Sequence, residues 1–289
     1  MKNTKGDWHG TADVIESARS ALRLIRGDWT GFEPDDARSS ALVEGVDEDS
    51  LDEFEDMIER YDAQGVRLLT ILDADYPRNL RLVYNRPPFL WVRGTLLPAD
   101  ERSIAVVGTR NASLEGLDQA RLLAGQLARR EVTVLSGLAL GIDGAAHEGA
   151  LAAGGRTLAV LGTGINTVYP TAHTRLAEQI VETGGALVSQ FWPDAPPTRW
   201  SFPMRNVVMS GMAVGTVVVE ASRTSGAKMQ ARLALEHGKR LFLVDTLVTR
   251  EEWAQRYARH PATTVVGSVD DVVDVLAALA QPVEQLVLG

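Results

Sequence analysis

The chain has 289 residues, 45% apolar and 23% charged, with 26 Gly, 12 Pro and no Cys. That composition folds as one or two globular domains and excludes disordered, collagenous and disulfide-stapled classes, along with thiolate metal sites and cysteine nucleophiles. The formal charge of −9 is uneven, since residues 1–100 carry 20 Asp and Glu against 12 Lys and Arg and the remainder 18 against 17, so a local basic surface stays open to the rear of the chain.

The first predicted element runs from Thr11 to about Arg26, where Val14, Ala18, Leu22 and Ile25 recur at helical spacing, and a second helix is expected from about Ser50 to Tyr61. Acidic residues between them, such as Glu33, Asp35, Asp36 and the run Asp47–Asp49, read as a solvated face. Between Gln64 and Leu97 short apolar runs, Val66–Leu72 and Phe89–Val92, are broken by Pro77, Pro87 and Pro88, which predicts a connector with extended pieces. Residues 98–102 read as the joint to the next domain.

From Ser103 onward, fully apolar runs alternate with helical stretches, the pattern of a parallel sheet covered on both faces. Strands are expected at Ile104–Val107, Thr133–Leu135, Thr157–Leu161, Ala186–Val188, Thr216–Val219 and Leu241–Val244. Helices are expected at about Leu114–Arg130, Gly144–Ala153, Thr171–Glu182, Asn206–Met212, Gly226–His237, Arg250–Arg259 and Val269–Ala280. The predicted fold is α/β: a Rossmann-like, doubly wound, mostly parallel sheet over 99–289, preceded over 1–98 by a small acidic helical domain and its connector. No run approaches the eighteen apolar residues of a membrane helix, and Met1–Gly10 lacks an apolar signal core. A cytoplasmic protein is expected.

In such sheets ligands bind beyond the carboxyl ends of the strands. Four loops there carry polar chemistry: Gly108-Thr109-Arg110; Ser136-Gly137 through Gly141-Ile142-Asp143; Gly162-Thr163-Gly164 with Tyr169-Pro170; and Glu220-Ala221-Ser222-Arg223-Thr224-Ser225-Gly226. Amides freed by the glycines, together with helix N-termini, would form an anion cradle, although glycines at such turns also serve packing alone. The third glycine of a dinucleotide fingerprint is missing, and no acidic residue ends the strand at Ala186–Val188, which disfavours NAD. Asp143 and His147 read as a helix-capping aspartate and a packed histidine, because no nucleophile accompanies them. Glu220 is either a general base or an anchor for its turn. His147, His173, His237 and His260 do not fall at metal-ligand spacings, so no metal is expected, and no cofactor.

The segment Pro196-Pro197-Thr198-Arg199-Trp200-Ser201-Phe202-Pro203-Met204-Arg205-Asn206 interleaves cations and rings. This is the chemistry of a single-strand surface, in which guanidinium groups hold phosphates and rings stack on unpaired bases. An exposed loop is expected here, with at least one of Trp200 and Phe202 turned into the core.

At these residues the chain resembles the DprA/Smf family of DNA processing proteins. The resemblance runs through Asp75-Tyr76-Pro77, Asn85 to Gly94, Val107 to Arg110, Ser136-Gly137 to Asp143, Ala146-His147, Leu161-Gly162 to Tyr169-Pro170, Phe202-Pro203 with Arg205-Asn206, Val219-Glu220-Ala221 and Ser225-Gly226. It implies a non-enzymatic core that binds single-stranded DNA, loads a RecA-like recombinase in natural transformation and dimerises. It further implies a sterile-alpha-motif-like domain at the front. Carried over by position, Arg110, Arg199 and Phe202 would contact DNA, with Arg205, Ser136, Gly137, Gly162 and Gly164 lining the same pocket. The chain departs from the family pattern at Val207, at Gln190-Phe191-Trp192, at Ala227-Lys228-Met229 and at Asp245-Thr246, and the family's C-terminal winged helix is expected to be absent. A nucleotide-binding or nucleotide-hydrolysing protein using Glu220, Ser225 and Gly226 is the alternative.

Overall fold

The computed structural model describes residues 48–280. The helix expected at Thr11–Arg26, and with it the front domain, lies outside those residues. Among the described residues the elements follow as α1 (Glu48–Asp62), β1 (Val66–Thr70), α2 (Arg78–Arg81), β2 (Phe89–Gly94), β3 (Ser103–Val107), α3 (Leu114–Ala128), β4 (Thr133–Ser136), α4 (Ile142–Ala152), β5 (Thr157–Val160), α5 (Thr174–Glu182), β6 (Ala186–Ser189), α6 (Ser201–Met212), β7 (Gly215–Val218), α7 (Gly226–Glu236), β8 (Arg240–Val244), α8 (Asp245–Arg250), α9 (Glu252–Tyr257), β9 (Thr263–Val266) and α10 (Val269–Ala280).

All nine strands form one sheet in the order β1-β2-β6-β5-β4-β3-β7-β8-β9. From β6 to β9 every pairing is parallel, while β2 runs antiparallel to both β6 and β1. Strands β3 to β7 are buried at every position, which is why they read as unbroken apolar runs rather than alternating ones. Helices α2, α6 and α7 cover one face through Leu80, Val208, Met209 and Ala231. On the other face, α3, α4 and α10 contribute Leu127, Ile142 and Val272, and α1 and α5 pack there through Tyr61 and Ile180. The doubly wound α/β architecture expected from the sequence is therefore present. None of the described helices is long and apolar enough to cross a membrane.

Several boundaries differ from the sequence expectation, each for a physical reason. The two extended pieces of the connector are β1 and β2, and they prolong the same sheet. The 98–102 stretch is a single 3-10 turn, Pro98–Glu101, pinned by Asp100, which accepts from Thr133 Oγ1 at 3.0 Å and from Arg156 Nε at 2.5 Å. Helix α6 begins at Ser201 rather than Asn206, because Pro203 sits in the first turn, where no intrahelical N–H donor is required. Strand β9 is absent from the expected set: it is a short edge strand in which only Val266 is buried, so it lacks an apolar run.

Candidate functional site

The order of the sheet reverses between β4-β3 and β3-β7, since the chain passes from β3 to β4 on one side and returns to β7 on the other. Loops beyond the carboxyl ends of strands part at such a point. A cleft of about 320 Å³ opens there, walled by Gly108, Thr109 and Arg110 after β3, Ala139 and Asp143 after β4, Phe202, Pro203, Arg205, Asn206 and Met209 of α6, Ser222 and Thr224–Ala227 of the β7 loop and α7 start, and Met229 and Gln230 of α7. The Thr109 amide donates to the Glu220 carbonyl at 2.6 Å, which ties the two sides of the reversal together.

The rim of the cleft is an arginine over a ring. The Arg110 guanidinium carbon stands 4.9 Å from the Phe202 ring centroid, within cation–π range. Phe202 also meets the Tyr169 ring at 5.9 Å. The ring needs Gly162 beside it, since a Cβ at that position would stand 2.7 Å from Phe202 Cδ1. Ser201 Oγ donates to the Gly162 carbonyl at 2.6 Å and locks the first turn of α6 to this loop.

The floor is charged. Arg205, only 6% exposed, donates from Nη1 to the Val160 carbonyl at 2.9 Å and from Nε to Asn206 Oδ1 at 3.0 Å. Its guanidinium occupies the space beside Gly137 that any side chain there would need. Asp143, 5% exposed, accepts from the Gly137 amide at 3.1 Å. Burial pushes the Asp143 carboxyl above its ordinary range, with Arg205 the largest opposing pull. Burial likewise weakens the hold of Arg205 on its proton, but an arginine has enough basicity in reserve to stay charged.

Arg110, Phe202 and Arg205 are thus brought together, with Gly137 and Gly162 shaping the space for the last two. Arg199 is exposed on the approach to α6, outside the cleft lining. Two expected residues lie elsewhere. Ser136 is fully buried and donates to the Val106 carbonyl at 2.7 Å across the sheet. Gly164 gives its amide to the Ala195 carbonyl at 2.8 Å and packs against the Trp192 and Pro193 carbonyls. The core expectation for the aromatic pair is also corrected: Phe202 is half-buried and Trp200 is 58% exposed, because α6 turns its apolar stripe, Val208, Met209 and Met212, to the sheet and leaves its first turn at the rim.

Ser225 caps α7 by accepting from the Ala227 amide at 3.2 Å, and with Gly226 it lines the cleft. Glu220 resolves toward the anchoring role: its carboxylate accepts from Ser113 Oγ at 2.7 Å and from the Ser113 amide at 3.2 Å at the start of α3. His147 is buried and bonded through Nδ1 to Thr157 Oγ1 at 2.7 Å, away from Asp143. Among the described residues no three His, Asp or Glu side chains gather as metal ligands do. The floor role of Asp143 was missed; the signal was its place at the strand-to-helix turn, open to a cap and to a pocket alike.

Known proteins share the sequence and fold of this chain. The chain is 47% identical over 167 residues to the Smf protein of Escherichia coli, covering 58% of this chain and 45% of that one. It is 37% identical over 175 residues to the DNA processing protein DprA of Streptococcus pneumoniae, covering 61% of each. The matches thus span about half to three fifths of these relatives' lengths. The X-ray structure of DprA from Streptococcus pneumoniae superposes with a TM-score of 0.67 at 28% identity, over 90% of this chain and 92% of that one. The fold is shared also with DNA processing protein A of Helicobacter pylori, solved for its single-stranded DNA binding mode, with a TM-score of 0.64 at 21% identity over 74% and 96% of the two chains. The sequence profile of the DNA recombination-mediator protein A family matches residues 67–277, and the chain belongs to that family, the DprA/Smf proteins.

Proposed function

We propose that this protein binds single-stranded DNA in the cleft between β3 and β7 and acts, as a homodimer and without enzymatic turnover, as a mediator that places a RecA-like recombinase on the strand. The observation that carries the reading is the Arg110 guanidinium held 4.9 Å over the half-buried Phe202 ring, a cation and a stacking face at one cleft mouth, as unpaired nucleic acid requires. Family membership supports a role in DNA processing and recombination. The hydrolytic alternative would need Glu220 as a base, and its carboxylate is engaged by the Ser113 hydroxyl and amide.

The test is fluorescence anisotropy of a labelled thymidine oligonucleotide over several salt concentrations, with the equivalent duplex as competitor. The expected result is preference for the single strand, affinity falling steeply with salt, and a log–log salt slope about one unit shallower for Arg110→Ala. Affinity and slope both unchanged by Arg110→Ala would reject the assigned surface.

A further inference from the structure

Away from the cleft, toward the far ends of α6 and α7, a chain of polar side chains runs through the packing between the two helices. His237 follows the last turn of α7, half-buried, and its Nε2 lies 2.9 Å from Asn85 Oδ1 in the loop before β2. An oxygen there fixes the hydrogen of the neutral ring on Nε2, so Nδ1 accepts from Ser210 Oγ at 3.0 Å. One helical turn before Ser210 is Asn206, and Gln230 of α7 ties the two together. Its Nε2 donates to the Asn206 carbonyl at 3.1 Å, and its Oε1 accepts from the Ser210 amide at 3.3 Å. Asn206 Oδ1 in turn accepts from Arg205 Nε. Ser210 and Gln230 are each 1% exposed, so a hydrogen bond lost along this chain is not replaced by one to solvent.

The chain has two arrangements, set by one proton. When the His237 ring is protonated, Nδ1 becomes a donor and Ser210 must accept, so the serine hydroxyl hydrogen needs another acceptor. A serine hydroxyl inside a helix reaches the carbonyl four residues back, and that bond bends the helix. Here the carbonyl is that of Asn206, which Gln230 already uses. The charged groups facing the ring are Lys239 and Glu236, the latter held by Arg232 at 3.2 Å. The loop before β2 presents Asn85 and the Tyr84 ring edge, with centroids 5.9 Å apart, and α6 presents Ser210. Burial pushes the ring below its ordinary 6.5, Lys239 adds to that, and Glu236 opposes it.

We propose that His237 and Ser210 are positioning residues for the first half of α6. With the ring uncharged, Gln230 stays on the Asn206 carbonyl and α7 braces α6. With the ring protonated, the Ser210 hydroxyl turns onto that carbonyl, Gln230 is released, and α6 bends where Arg205 stands. The proposal rests on the single-strand reading only for its effect on affinity, since the relay itself belongs to α6 and α7.

The experiment follows side-chain NMR resonances of the protein from pH 7.5 to pH 4.5, with the His237 ring signal identified by its loss in His237→Gln. The Gln230 side-chain amide and the Arg205 Nε resonance are expected to move with the midpoint of the His237 ring. In Ser210→Ala the ring is expected to titrate while both of the others hold still. Gln230 and Arg205 resonances that stay fixed through the ring's titration in the natural chain, or that follow it equally in Ser210→Ala, would overturn the proposal. A second readout is anisotropy with a thymidine oligonucleotide over the same range, taken as the ratio of the two proteins' affinities so that the general gain of positive charge cancels. The natural chain is expected to lose about threefold relative to Ser210→Ala as the ring protonates. A constant ratio would overturn the positioning role. No binding of the oligonucleotide at any pH would reject the single-strand reading, and the resonances would still decide the relay.

Discussion

His147 carries a measurable consequence at the scale of one residue. Thr157 donates its hydroxyl hydrogen to the Val134 carbonyl at 2.8 Å, so toward His147 Nδ1 it is the acceptor, and the ring is the neutral Nδ1–H form. Burial pushes its pKa down to about 3. In the unfolded chain the group takes up a proton near its ordinary 6.5. Between those two values the unfolded state therefore binds the extra proton, and stability falls as pH falls through the window, with a slope approaching ~1.4 kcal/mol per pH unit. Urea midpoints at pH 7 and pH 5 check this: the drop is expected to be clearly smaller in His147→Asn, and equal drops would refute the assignment. Other residues show where sequence reading stops. Ser136 and Glu220 have the right side chains in the right loops, but their hydrogen-bonding capacity goes to Val106 and Ser113, 30 and 107 residues away. No local pattern records such partners, whereas Arg110 and Phe202, singled out by their loops and by the family resemblance, do meet at one cleft mouth.

At the scale of elements, α1 acts on the rim from a distance. Tyr61 donates from its hydroxyl to Asp194 Oδ2 at 3.1 Å, Asn166 donates to Asp194 Oδ1 at 2.8 Å, and Phe54 meets the Trp192 ring edge-on at 5.9 Å. The 191–195 turn is thereby clasped between α1 and the loop after β5, and the chain leaves it directly into Arg199, Trp200 and α6. Asp194→Ala is expected to weaken oligonucleotide binding severalfold in the natural chain, to add to the effect of Arg110→Ala, and to have no further effect once Arg199 is alanine, since coupled residues are not additive. Full additivity with Arg199→Ala would mean that the clasp does not position that side chain. The parallel strands and their helices were legible because burial on both faces writes long apolar runs. The early start of α6, strand β9, and the two short helices α8 and α9 in place of one at Arg250–Arg259 were not, since Pro203 serves as a first-turn residue, β9 is a mostly exposed edge, and the extended backbone at Glu251 divides the last pair.

For the whole molecule, the decisive feature is that the sheet does not stop at the expected joint. Strand β2 pairs with β6 through Trp91, Val92, Arg93 and Gly94, and Asp100 bridges to Arg156 across the corner between them. Sequence reading placed β1 and β2 in a connector because prolines interrupt it and because antiparallel pairing with a strand some ninety residues later leaves no periodic trace. A fragment begun at residue 99 would therefore present β6, buried along its entire length in the complete sheet, as a bare apolar edge. Such an edge templates strands from other molecules. The expectation is that the shortened fragment self-associates in light scattering while a chain begun before α1 stays dispersed. Strands β1 and β2 would in that sense guard against polymerisation.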